Sequence, residues 1–102
     1  MESLIEKNLQ AIVELCHRYH VVHLDVFGSL VAGDFNESSD IDFLVEFSNE
    51  INSCRFDNFF GLLRAMEQLF NRRVDLVEAG GLRNPYFIKH VNQTKEVVYA
   101  AS

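Results

Sequence analysis

Two aspartates stand one residue apart in an otherwise apolar run, Asp40-Ile41-Asp42-Phe43-Leu44-Val45. In a strand, residues i and i+2 share a face, with backbones about 6.6 Å apart. At an effective dielectric of about 20, two carboxylates at that spacing repel by roughly 2 to 3 kcal/mol. Folding alone gives no reason to carry that cost, so a positive charge is expected between them. A hard divalent cation meets the need: Mg²⁺ takes oxygen ligands, typically one or two carboxylates together with phosphates and water. Two-metal sites draw several carboxylates from rigid elements. Asp75, flanked by Val74 and Leu76, is the natural third.

Gly28-Ser29 lies upstream, where an apolar run ends. Such a pair cradles phosphate: glycine lets the backbone approach an anion, and the first N–H groups of a helix point outward unpaired. Standing alone, Gly-Ser is also an ordinary turn, and Asp-x-Asp is also a solvated strand face; together with Asp75 they point to phosphate and metal. Gly28 and Gly33 match the glycines of a Walker loop, but Asp34 and Phe35 occupy the Lys and Ser/Thr positions, which excludes it.

The elements that must position these residues follow from periodicity. Ile5, Leu9, Ile12, Val13 and Cys16 recur at helical spacing and predict a helix over 3–19. Residues 21–27 read as a strand in which Val22, Leu24 and Val26 alternate with His23 and Asp25. A short helical turn through Leu30 and Val31 and a loop over 33–36 follow. The second strand covers 40–47, with Ile41, Phe43, Val45 and Phe47 on one face and Asp40, Asp42, Leu44 and Glu46 on the other. Phe56, Phe59, Phe60, Leu63, Met66, Leu69 and Phe70 make a core stripe on a helix over 56–70. A third strand spans 73–78, a helix starts near Pro85, and 96–100 is a short edge strand. The expected architecture is α+β, a small mixed β-sheet with helices packed on it, as one domain over 1–102.

Composition narrows the partners. The chain has 102 residues and a net charge of −6, and its basic residues are scattered apart from Arg72-Arg73, so a long nucleic acid is not expected as a direct partner. No apolar run or leader predicts a membrane, and Cys16 and Cys54 read as small buried hydrophobes of a reducing, cytoplasmic compartment. His17, His20 and His23 would not converge on a metal, His90 reads as helix surface, and Asp34 as loop chemistry. Arg72 and Arg73 are candidates for a nucleotide or partner contact. Tyr86 and Phe87 fit either a partner-facing surface or the core.

Gly28-Ser29, ten residues, then Asp40-Ile41-Asp42 resembles the G-S-x(10)-D-x-D signature of the polymerase beta nucleotidyltransferase superfamily. Asp75 in Val74-Asp75-Leu76-Val77 resembles its third catalytic aspartate, and the short length resembles the minimal nucleotidyltransferases (MNT). The resemblance implies the polymerase beta-like fold and transfer of a nucleoside monophosphate from a triphosphate to a hydroxyl, with ATP as substrate and AMP as the group moved. It implies two Mg²⁺ ions on Asp40, Asp42 and Asp75, and triphosphate contacts from Gly28 and Ser29. It also implies a helical HEPN-type partner, a toxin that the chain neutralises as antitoxin. Ala32 stands where such proteins usually carry arginine, and the loss of a charge-assisted phosphate bond implies weaker triphosphate binding. A second reading is a non-catalytic module that neutralises a helical partner by occlusion.

Overall fold

The computed structural model describes residues 3–33, 36, 39–48, 55–81 and 84–101. The β-branched and aromatic runs form four strands: β1 (Val21–Phe27), β2 (Ile41–Phe47), β3 (Val74–Glu78) and β4 (Glu96–Ala100). They make one sheet in the order β3-β2-β1-β4. β1 runs antiparallel to β2 and β4, whereas β2 and β3 are parallel, so the sheet is mixed as expected. Parallel neighbours need a crossover connection. Helix α4 (Arg55–Phe70) provides it.

Helices α1 (Ser3–Lys7), α2 (Leu9–Arg18) and α4 cover one face. There Ile5, Ile12, Leu62 and Met66 pack with Leu24, Val26, Ile41, Phe43 and Val45. Cys16 lies in this core, and burial pushes its thiol up to about 12, leaving it an inert apolar filler. Helix α5 (Pro85–Thr94) lies on the opposite face, where Val91 packs with Phe27 and Leu44. Asn84 fixes its start by accepting from the N–H groups of Tyr86 and Phe87. Among the described residues no helix is long and apolar enough to cross a membrane. Asp34 and Cys54 lie outside the described residues.

Three local expectations are corrected. The helix expected over 3–19 is two, because the Asn8 side chain donates to the Leu4 carbonyl (2.9 Å) and competes with the backbone ladder. Val21, not Val22, is the buried residue at the start of β1, because the β1–β2 register shifts between Val21 and His23. Asp25 keeps its expected face but is 1% exposed. On α4, Phe56 and Phe60 are exposed, their rings meeting at 4.6 Å with a 50° tilt, while Leu62 joins Met66 at the buried centre.

Candidate active site

Register brings the signature residues together. Asp42 pairs across the sheet with Phe27 of β1 on one side and with Asp75 of β3 on the other. The residues between Gly28 and Asp40 therefore serve to return the chain beside β1. Gly28 has φ +79, and a side-chain carbon there would overlap the Asp42 carboxylate and stand 3.0 Å from its Cγ. Only glycine combines that backbone angle with that approach. Ser29 opens the short helix α3 (Ser29–Ala32), whose first turn closes through Val31 N–H to the Gly28 carbonyl at 3.1 Å. The side chains of Ser29 and Ala32 lie outside the described set.

The carboxylates feel one another. Burial first, then the charges of Asp75 and Asp40, push the Asp42 carboxyl from 3.8 up to about 6. Asp75 is exposed. Asp40 precedes β2 rather than lying in it, and its Oδ1 stands 3.8 Å from Arg73 Nε. This pair is largely solvated, so it holds Asp40 weakly. Arg72 donates to the carbonyls of Asn36 (3.2 Å) and Ser39 (3.1 Å), tying the approach to β2 against the start of β3. Ile41 N–H reaches the Arg73 carbonyl at 3.1 Å and completes that tie.

The donor set suits a hard cation: carboxylate oxygens, with Asp42 carrying negative charge that nothing on its strand offsets. Asp42 and Asp75 sit side by side, whereas Asp40 turns toward Arg73. Among the described residues no three His, Cys, Asp or Glu side chains stand close enough to hold one ion. Asp40, Asp42 and Asp75 thus share a neighbourhood without forming a closed cage.

Helix α5 walls the same face of the sheet. The Phe87 ring meets Phe27 edge-on at 6.0 Å, one residue from Gly28. The two aromatics that sequence alone left unsorted differ in degree: both are exposed, Phe87 at 37% with its ring edge-on to Phe27 and Tyr86 at 84%. Farther along the same face, Asp25 Oδ1 lies 3.0 Å from His23 Nε2, and Oδ2 lies 4.0 Å from Lys95 Nζ. His17 instead meets the Tyr99 ring at 5.6 Å, so these histidines have separate partners. Sequence reading missed Asp25 and the hold of Arg73 on Asp40. A charge inside Val-Val-His-Leu-Asp-Val-Phe was the available signal for the first.

Similarity to known proteins runs along the whole arrangement. The family described as Polymerase beta, Nucleotidyltransferase matches residues 10–102. The protein adenylyltransferase MntA of Thermococcus cleftensis is 42% identical over 71 residues, 70% of this chain and 69% of the relative. A solved structure provisionally described as a minimal nucleotidyltransferase superposes with a TM-score of 0.74 at 32% identity, covering 89% of each chain. A complex of a tri-AMPylated Shewanella oneidensis HEPN toxin with its MNT antitoxin shares the fold, with a TM-score of 0.66 at 16% identity over 95% of this chain and 73% of that one. With its Gly-Ser turn, its Asp42 and Asp75 in register and its mixed sheet all accounted for, the chain belongs to the polymerase beta nucleotidyltransferase family.

Proposed function

We propose that the chain transfers AMP from ATP to a hydroxyl group of a helical, HEPN-type partner protein, and that it acts as antitoxin to that partner. The observation that carries this reading is the juxtaposition of Asp42 with Asp75 beside Gly28. The adenylyltransferase relative supports the group transferred, and the antitoxin complex of the same fold supports the partner class. The acidic chain disfavours a bare nucleic acid as acceptor by repulsion.

Gly28 and Ser29 are assigned the triphosphate, the lack of a side chain at Gly28 letting the Asp42 carboxylate close on the same turn. Asp42 and Asp75 are the first metal ligands, with Asp40 the third once it leaves Arg73. Bound there, two Mg²⁺ ions would supply the positive charge that the carboxylates and the phosphate oxygens all lack. The acceptor oxygen bonds to the α-phosphorus as the bond to the bridging oxygen breaks, and pyrophosphate leaves. Asp75, the most open of the three carboxylates, takes the hydroxyl proton. Docking of the partner supplies the proximity.

Intact-mass spectrometry of the partner after incubation with this protein, ATP and Mg²⁺ tests the reading. The expected gain is one or more AMP units, lost with Asp42→Asn or Asp75→Asn. Neutralisation of the partner with no gain in mass, equally by the Asn variants, replaces transfer by occlusion, the reading that Ala32 favours.

A further inference from the structure

We propose that Arg73 is an exchanging cation of the carboxylate site: it gives up Asp40 to the metal and turns to a phosphate oxygen of the bound triphosphate. The inference rests on the reading of the site as a nucleotide site and adds a phosphate-binding residue to it. Asp40 and Arg73 each stand one residue before the register pair of Ile41 with Val74, and Ile41 N–H donates to the Arg73 carbonyl at 3.1 Å. The backbone of Arg73 is therefore fixed beside Asp40, two residues before Asp75. Its side chain is placed at the site as well, with Nε 3.8 Å from Asp40 Oδ1.

Three observations favour exchange over a fixed ion pair. The contact is loose: 3.8 Å lies well beyond the about 2.7 to 2.9 Å of a charge-assisted bond, and the Arg73 side chain is 84% exposed, so little is lost when it turns away. The neighbouring Arg72 is committed to the carbonyls of Asn36 and Ser39. Among the described residues Arg73 is the guanidinium that touches a carboxylate of the set. Charge gives the exchange its direction. Three carboxylates and a triphosphate together carry more negative charge than two divalent ions offset, and Ala32 supplies no guanidinium to the phosphates. The planar fork of arginine matches phosphate oxygens, so a freed Arg73 meets that need from the far side of the carboxylates.

Titration calorimetry with two probes, Mn²⁺ alone and inorganic tripolyphosphate in saturating Mn²⁺, tests the assignment. Arg73→Gln keeps the backbone tie to Ile41 and removes the charge. It is expected to tighten Mn²⁺ alone about two- to fivefold, because Asp40 is released, and to weaken tripolyphosphate about tenfold. In the Asp40→Asn background the gain in Mn²⁺ affinity should vanish, whereas the loss of tripolyphosphate affinity should remain. If Arg73→Gln binds either probe as the wild type does, the exchange is overturned. A gain in Mn²⁺ affinity that survives Asp40→Asn also overturns it, since the effect is then the field of a nearby charge and not a pair. If the variant spares tripolyphosphate but weakens binding of a helical partner, Arg73 is a protein contact and the role again falls. A wild type that binds neither probe removes the nucleotide site and this role together; a wild type that binds both, with Arg73→Gln unchanged, removes the role alone.

Discussion

At Asp42 the folded chain holds a carboxyl that burial, Asp75 and Asp40 push up to about 6. A carboxyl whose folded pKa lies above its unfolded value binds its proton more tightly in the fold. Its favourable contribution is therefore present below about pH 4 and is lost as the pH rises through about 6. In the absence of divalent cations, Asp42→Asn should stabilise the protein at pH 7.5 by about 1 to 2 kcal/mol, a figure discounted because the group is partly solvated. Near pH 4 the difference should vanish. Urea denaturation of both forms in chelator checks this, and a less stable variant at pH 7.5 would contradict it. The same substitution is expected to end transfer, so the site is maintained against stability. That Asp42 and Asp75 come to lie side by side was legible, because charge inside an apolar run has no packing reason. Asp25 carried the same mark, but its cation Lys95 lies far along the chain and only folding brings them to 4.0 Å.

Among the elements, α2 and α4 meet where Gly61 faces Tyr19. A side-chain carbon on Gly61 would stand 2.6 Å from the Tyr19 ring. Glycine inside a helix costs about 1 kcal/mol against alanine, so close helix approach is what Gly61 supplies. Gly61→Ala should destabilise by about 1 to 2 kcal/mol, overpacking outweighing the gain in helix propensity. Trimming the ring with Tyr19→Leu in the same chain should remove most of that penalty, as a double-mutant cycle in urea would read. No gain from the second substitution would place the strain elsewhere. Strand positions were legible to within a residue, since β1 falls where its β-branched run put it and β4 where a short edge strand was expected. The break at Asn8 and the register shift after Val21 were not, because each depends on a local competition that a periodic pattern averages out. Periodicity also marked a stripe on α4 without marking where it leaves the core, hence Phe56 and Phe60.

The whole molecule divides its labour between two faces of one sheet. One carries the main core under α1, α2 and α4; the other carries Asp42 and Asp75 and, beneath α5, a small cluster of Phe27, Leu44 and Val91 with Val77 and Ala79 packed against it. That division, with β1 central and β4 at an edge, makes β4 the cover of the outer edge of β1. Deleting residues 96–101 should leave that edge bare and shift the chain to larger species than the intact chain forms, because an unpaired strand templates further pairing. Size-exclusion chromatography with light scattering would show it, and a soluble monomer after the deletion would contradict it. The order of pairing also sets a schedule for synthesis. β1 gains β2 early, but its second neighbour ends roughly fifty residues later, about 3 to 10 seconds at ordinary translation rates. For that interval the growing chain presents a half-dressed strand to whatever else is in reach, so a vulnerable moment in the life of this protein falls before β4 has been made.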